Sequence, residues 1–180
     1  MIIRIFIILL GCFLTDCVHA QLDSNKTFEL SKGKWRMPID NLNKISLPNN
    51  GDKGLTISCS FSNSIIFISN QPSEVYSVAD GKVAAVFTIG DIKAVIIKYG
   101  DYYLIYSDLE ECYVNKNDLV LANTKIGRLS KGFDDTYELE FLVAFKYKEI
   151  ESIEDWFNPD LIKYYSEEQR ELMKKASPLR

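Results

Sequence analysis

Val75-Tyr76-Ser77-Val78-Ala79-Asp80-Gly81-Lys82-Val83 carries the strongest structural signal in this chain. Aromatic and β-branched residues, which favour strands, lie on both sides of Asp80-Gly81, a pair that is typical of a hairpin turn. Short runs of similar composition, joined by turn residues, precede and follow this segment. The pattern predicts a single domain that is mostly β and built from antiparallel strands.

The remaining pattern predicts further strands and one helix. From Trp156 onward the periodicity becomes helical, and Asn158-Pro159-Asp160 is typical of a helix start because proline sets φ and aspartate can cap. An apolar stripe then predicts a C-terminal α-helix, formed by Leu161, Ile162, Tyr165, Leu172 and Met173. Strands are predicted over Leu55–Phe61, Ile65–Ile68, Glu74–Val78, Val83–Ile89, Ala94–Lys98, Tyr102–Ser107, Val120–Ala122, Lys125–Gly127 and Tyr137–Phe145.

The N-terminus is typical of a secretion signal. Residues 1–20 contain the basic Arg4 and the apolar run Ile5–Leu10. They end in Val18-His19-Ala20, which places small residues at the −3 and −1 positions of a cleavage site before Gln21. The apolar run is short for a membrane-spanning helix, which needs about 20 residues. An uncleaved anchor and a lipoprotein remain alternatives to cleavage. We therefore expect an exported protein without a transmembrane segment in the mature chain.

The expected organisation has four parts. Residues 1–20 are the signal peptide, residues 21–34 a loose polar lead-in, residues 35–159 the β domain, and residues 160–180 the C-terminal helix and tail.

The net charge is −4, and the chain has no run of lysine and arginine that would indicate a nucleic-acid surface. We expect no nucleic-acid partner.

Side chains for nucleophilic and metal chemistry are scarce. The single histidine, His19, lies in the expected signal peptide, so catalysis that depends on histidine is disfavoured. Two cysteines, Cys59 and Cys112, would remain after cleavage. A disulfide between them would close a loop of about 50 residues and contribute about 3–4 kcal/mol, and two buried free thiols are the equal alternative.

Several segments in the same order resemble the LytM/lysostaphin-type zinc endopeptidases of peptidoglycan. The segment Val75–Val83 is similar to the family's V-x-A-x-x-D-G-x-V element, and Tyr106-Ser107-Asp108-Leu109 resembles its Y-x-H-L element. Leu139-Glu140-Phe141 resembles the L-H-F of the last active-site strand. Further resemblances lie at Trp35–Ile39, Gly54–Ile57, Ala94–Tyr103 and Val114–Gly127. The resemblance implies the duplicated-hybrid-motif β fold of that family over residues 35–159.

The same resemblance implies that the family's zinc site has been lost. Active members hold zinc with histidine and aspartate and leave a position open for water. By position, the first histidine ligand corresponds to Asp52, the ligand aspartate to Thr56, the Y-x-H-L histidine to Asp108, and the His-x-His pair to Glu138 and Glu140. We expect no zinc and no catalytic residues, because carboxylates without imidazole suit hard cations better than catalytic zinc.

The resemblance leaves three functions open, of which the third is a structural envelope module whose groove is filled by its own chain. The first is an exported, catalytically inactive LytM-like domain in the periplasm or cell envelope of a bacterium. It would bind a peptidoglycan hydrolase, another envelope protein or peptidoglycan itself. The alternative is an active peptidoglycan metalloendopeptidase with an unusual carboxylate metal site.

The acidic residues at these positions do not by themselves predict a binding site. Glu138 and Glu140 share a strand face, so they can converge with Asp52 and Asp108, but exposed carboxylates are the commonest state. On that interpretation, replacing Asp108 or Glu140 by alanine leaves folding nearly intact. A glycan-stacking role is tempting for five tyrosines, yet packing is the favoured role for most of them: Tyr99, Tyr102, Tyr103, Tyr106 and Tyr137.

Overall fold

The computed structural model describes residues 24–46, 63–132, 134–165 and 170. Ten strands within these residues form one sheet in which every pair is antiparallel, so the predicted class is confirmed. The strands are β1 (Lys44–Ser46), β2 (Ile65–Ser69), β3 (Glu74–Tyr76), β4 (Gly81–Ile89), β5 (Ile92–Tyr99), β6 (Tyr102–Cys112), β7 (Leu119–Val120), β8 (Lys125–Leu129), β9 (Tyr137–Phe145) and β10 (Lys148–Glu149).

Strand β9 organises the sheet. The strand order is β1-β2-β9-β6-β5-β4-β7; in addition, β10 pairs with β9, and β8 pairs with β3 and β6. Leu139, Phe141 and Val143 alternate along β9 and are fully buried, as expected for the core face of a strand. β9 therefore lies between β2 and β6, and its opposite face carries the acids that the sequence singles out.

An aromatic cluster closes the core face. Phe28 stacks on Tyr102 with ring centroids 4.2 Å apart, and Trp35 lies 4.9 Å from Trp156. The Trp35 backbone N–H donates to the Trp156 carbonyl at 3.1 Å, which ties the two ends of the described chain together. Residues 24–29 are helical and Phe28 is buried. The expectation of a loose lead-in is therefore wrong for this segment, because its single phenylalanine docks in the core.

Asp80-Gly81 does not form the predicted hairpin turn. β3 pairs with β8, whereas β4 pairs with β5 and β7, so the strands on either side of the pair do not bond to each other. The Asp80 carboxylate instead accepts the Ala122 backbone N–H at 2.7 Å. A Cβ added to Gly81 would lie 2.9 Å from the Lys98 carbonyl oxygen. Gly81 thus allows β4 to lie close to β5. Asp80-Gly81 is where the chain passes from β3 to β4, and it is not a hairpin turn.

Several predicted strands differ in length from those observed. β6 continues to Cys112, beyond the predicted end at Ser107, because Leu109 pairs with Leu129 and Cys112 with Gly127 on β8. The stretch looks polar because one of its faces is exposed. Tyr137–Phe145 matches β9 at both ends. The predicted strand Leu55–Phe61 lies outside the described residues.

The C-terminal segment begins as 3₁₀ helix. Two such helices cover Ile153–Trp156 and Pro159–Tyr164, and Tyr165 then forms a parallel bridge with Ile45. Of the predicted apolar stripe, Tyr165 is buried in the core. Arg170 is helical, while Leu172 and Met173 lie outside the described residues.

Most of the tyrosines pack. Tyr102 and Tyr106 are buried, whereas Tyr103, on the opposite face of β6, is half-buried and stacks on the exposed Tyr147. The Tyr106 hydroxyl accepts the Val78 backbone N–H at 2.9 Å in the interior. Burial raises the pKa of Tyr106, so this group works as a neutral hydrogen-bond partner.

Replacing Tyr106 by phenylalanine should therefore be costly. Tyr106→Phe leaves a buried Val78 N–H without its acceptor, which lowers the free energy of unfolding by about 1–3 kcal/mol in urea titrations. Tyr103→Phe is the matched control and should change the free energy by less than about 0.5 kcal/mol. An equal effect of both variants would contradict this role for Tyr106.

Candidate functional site

The structure brings three of the five predicted site positions together. Asp108 lies on β6, and Glu138 and Glu140 lie on β9. β6 and β9 are neighbours, with Ser107 directly opposite Glu140. Asp52 and Thr56 lie outside the described residues, so their predicted positions stay predictions.

Glu140 is the best-held member of the group. Its side chain is buried, with 4% of its surface exposed. The Ser64 hydroxyl donates to Glu140 Oε1 at 2.8 Å, and the Ser107 hydroxyl lies 3.3 Å from both Oε2 and the Glu140 backbone carbonyl oxygen. The carboxyl group therefore links the start of β2 to β6 across β9. The expectation of a solvated acid is wrong for Glu140, because the side chain is buried and lies against two serine hydroxyl groups.

Asp108 occupies an unusual backbone position. Its φ is 66°, in the left-handed region that aspartate tolerates better than most residues. The pairing of β6 with β8 shifts register just after it, between Leu109 and Glu111. Burial, followed by the charges of Glu140 and Glu138, raises the pKa of Asp108 to about 6, while the Glu140 backbone N–H acts in the opposite direction. Asp108 is thus a partly buried acid beside two others.

Glu138 lies nearer to solvent. It is half-buried, and burial together with the charge of Asp134 raises its pKa. The Thr136 hydroxyl partly offsets this increase through a contact of 3.5 Å with Glu138 Oε1. The three acids therefore occupy distinct environments, with Glu140 fixed by hydroxyl groups, Asp108 on a bulged strand and Glu138 at the rim.

Sequence reasoning missed the residues that surround Glu140. Ser64 and Ser107 hold its carboxyl group, and Ile66 is its cross-strand partner on β2. β2 is the strand next to β9, so Ile66 is the residue that β2 places beside Glu140. The only sequence signal for these contacts was Ser64, which stands before an apolar run. Residue type alone does not distinguish a buried serine from an exposed one.

These residues do not fit a catalytic zinc ion. Ile66 has no ligand atom, and Asp108, Glu138 and Glu140 offer carboxylate oxygens without an imidazole, a set that suits hard cations better than catalytic zinc. Within residues 24–46, 63–132, 134–165 and 170, no group of three histidine, cysteine, aspartate or glutamate side chains is arranged to hold a metal ion. The absence of zinc stays a prediction of the sequence.

The predicted disulfide also stays a prediction. Cys112 is half-buried at the end of β6, and burial raises the pKa of its thiol. Cys59 lies outside the described residues. A raised pKa lowers the thiolate fraction, so Cys112 has the character of a structural rather than a reactive cysteine.

Comparison with known proteins supports the sequence resemblance through structure. No family model and no curated protein matches the sequence significantly. Among solved structures, a chain of the SpoIIQ–SpoIIIAH pore-forming complex superposes with a TM-score of 0.56 and 16% identity, covering 82% of this chain and 99% of that one. A zinc-containing peptidase from Vibrio cholerae superposes with a TM-score of 0.52 and 23% identity, covering 66% of this chain and 39% of that one. The chain has the LytM/M23 peptidase fold.

A further LytM/M23-fold structure leads to the same conclusion. A putative M23 peptidase from Pseudomonas aeruginosa gives a TM-score of 0.51 at 16% identity, over 67% of this chain and 49% of that one. The present chain thus spans less than half of either peptidase chain. Because one fold hosts several functions, this likeness establishes the LytM/M23 architecture and no activity.

Asp108 makes the stability of this LytM/M23-fold chain depend on pH. Its pKa is higher in the folded chain, at about 6, than its ordinary value of 3.8. Its stabilising contribution is therefore fully present below pH 3.8 and is lost as the pH rises through 6. Asp108→Asn should raise the free energy of unfolding at pH 7.5 by about 1–2 kcal/mol and flatten its decline across that window.

Asp135→Asn is the matched control for that measurement. Asp135 also has positive φ, at 63°, but it is exposed and lies 2.6 Å from the Lys131 ammonium. A similar gain from both variants would trace the effect to the backbone preference of asparagine and would contradict the role of burial and neighbouring charge.

Glu140 should behave in the opposite way to a removable surface acid. Glu140→Ala leaves the buried Ser64 hydroxyl without this acceptor and should lower the free energy of unfolding by about 1–3 kcal/mol. A double-mutant cycle with Ser64→Ala, read by urea titration, should show favourable coupling between the two residues. Glu151→Ala, at an exposed position, is the control. Additive effects of Glu140→Ala and Ser64→Ala would contradict a structural role for the Glu140 carboxyl group.

Proposed function

We propose that this chain is an exported, catalytically inactive LytM-like domain that binds a partner in the bacterial cell envelope. The partner is a peptidoglycan hydrolase, another envelope protein or peptidoglycan itself. The observation that carries the proposal is the Glu140 carboxyl group, which is buried and bonded to Ser64 and Ser107 where the family resemblance implies a metal ligand. This carboxyl group cross-links neighbouring strands, and the chain has no histidine after residue 19 to supply the imidazole ligands of the family's zinc site.

Loss of catalysis on an intact fold favours binding. The position of β9 rests on its pairing with β2 and β6 and on the buried apolar side chains of its core face. One of the structures with this fold is a complex of two different proteins, SpoIIQ and SpoIIIAH. That assembly supports partner binding as a use to which this fold can be put.

Export rests on the N-terminal sequence. Residues 1–20 have the composition of a signal peptide, although they lie outside the described residues. Among the described residues, every helical segment falls short of the length and apolar character that a membrane-spanning helix requires. A cell-envelope location accordingly remains part of the proposal.

The decisive test combines metal analysis with a cleavage assay. Purified full chain, dialysed against micromolar zinc, should retain less than about 0.1 zinc ion per chain and should release no soluble fragments from purified peptidoglycan. Glu140→Ala should not alter that result. Stoichiometric zinc together with cleavage that EDTA abolishes would establish the metalloendopeptidase alternative instead.

Partner binding is tested separately. The chain carrying an affinity tag and a photo-crosslinker should capture a specific partner from the envelope fraction of its own organism. The Tyr106→Phe variant, which is destabilised but keeps its surface, should capture the same partner below its unfolding transition. Capture of nothing from both the protein and the peptidoglycan fractions would overturn the proposed function.

A further inference from the structure

Within the described residues, the outer edge of β4 is unpaired over most of its length. On that side β7 pairs only with Gly81 and Lys82. The Val83 N–H then donates to the Asp118 carbonyl, and the Val83 carbonyl accepts the Asn117 N–H, both at 2.8 Å. Beyond Val83, no described residue pairs with the outer side of residues 84–89. Alternate residues of this stretch, Val86 and Thr88, therefore present backbone hydrogen-bonding groups at the margin of the sheet.

This edge lacks the protection that sheet edges usually have. Residues 84–89 read Ala-Ala-Val-Phe-Thr-Ile and include no proline and no charged residue. Phe87 is 37% exposed and Thr88 is exposed. The opposite margin is built differently, since β1 has three residues and its central Ile45 is covered by the bridge to Tyr165. Natural sheets normally shorten, charge, bulge or cover such edges. β4 has one bulge, between Val83 and Ala85, and from Ala85 to Ile89 it has none of these features among the described residues.

The direction of the free backbone groups follows from the hairpin. Ile89 pairs with Ile92 across the two-residue turn Gly90-Asp91. In an antiparallel hairpin of this length the closing pair is hydrogen-bonded, and bonded and non-bonded pairs then alternate. Thr88, opposite Lys93, therefore belongs to a non-bonded pair, and its N–H and carbonyl point outward. An added strand would meet these groups first.

Charge at the start of β4 indicates what such a strand carries. Lys82 and Lys98 are direct cross-strand partners, which places like charges side by side. Neither has an ion pair among the described residues, although the Lys98 ammonium lies 5.5 Å from the centre of the Tyr103 ring. Asp80, the acid next along the chain, is engaged with the Ala122 N–H. A carboxylate on an added strand would relieve this repulsion.

We propose that residues 84–89 of β4 bind an extended segment of a partner protein as an added antiparallel or parallel strand, with apolar residues beside Phe87 and an acidic residue at the end nearest Lys82 and Lys98. This inference deepens the proposed function, because it assigns the surface through which the partner is held. Main-chain hydrogen bonds supply affinity in this mode, and alternate side chains supply selectivity.

A synthetic peptide tests the edge directly. The probe is the acetylated and amidated octapeptide Glu-Thr-Val-Thr-Val-Thr-Val-Glu, which offers an acid near Lys82 in either direction. It should bind the full chain by calorimetry, and N-methylation of alternate amides should abolish binding. Thr88→Pro removes an outward N–H and should weaken binding about tenfold, whereas Thr88→Val keeps the N–H and should stay within about twofold.

Charge reversal tests the second half of the proposal. Lys82→Glu should weaken the Glu-ended peptide about threefold and strengthen a Lys-ended version of it, because only the sign of the end contact changes. Circular dichroism checks that Thr88→Pro is folded; the N-methylated peptide gives the same answer without changing the protein.

The outcomes separate this inference from the proposed function. If the peptide fails to bind and Thr88→Pro still captures the envelope partner, the inference about β4 is overturned and the proposed function is retained. Peptide binding that depends on Thr88, without any captured partner, supports the edge and not the wider proposal. Concentration-dependent dimers that Thr88→Pro abolishes would make the occupant a second copy of this chain and overturn the partner strand.

Discussion

The carboxyl group of Glu140, held between two serine hydroxyl groups, is the constraint on which this face of the molecule depends. Ser64 reaches it from the start of β2 and Ser107 from β6, while β9 carries it between them. A buried carboxyl group is unfavourable unless its oxygens have hydrogen-bond partners, and here a serine hydroxyl lies within hydrogen-bond distance of each oxygen. These contacts tie the carboxyl group to both neighbouring strands and fix its position on β9.

That constraint extends into the core through the register of β9. Leu139 and Phe141 point to the aromatic cluster, and Glu140 points to the opposite face. A slip of one residue would place the carboxyl group among Trp35 and Phe157 and would turn Phe141 away from them. The hydrogen bonds to Glu140 and the packing of Phe141 therefore specify the same register from two sides of the sheet. The order of the sheet at β9 rests on the agreement of these two requirements.

The sequence predicted regular, strongly alternating elements well and special contacts poorly. Tyr137–Phe145 was predicted with both of its ends correct, since a buried strand with alternating contacts leaves a clear pattern. Asp80-Gly81 was misinterpreted, because glycine required for close packing against Lys98 looks identical to glycine required for a turn. Asp108, Glu138 and Glu140 were singled out by resemblance, but the burial of Glu140 depends on Ser64, which lies 76 positions away in the chain.

An open strand edge and a closed acidic face on one sheet are compatible because they are spatially separate. β6 and β5 lie between β9 and β4 in the strand order, so the edge is about 14 Å from Glu140 at ordinary strand spacing. Backbone pairing at β4 needs neither metal nor acid chemistry, and substitutions around Glu140 leave the outward groups of Thr88 in place. A scaffold of this kind can lose a hydrolytic centre without losing a means of recognition. The selectivity of that recognition then resides in the few side chains that flank the edge, above all Phe87 and Lys82.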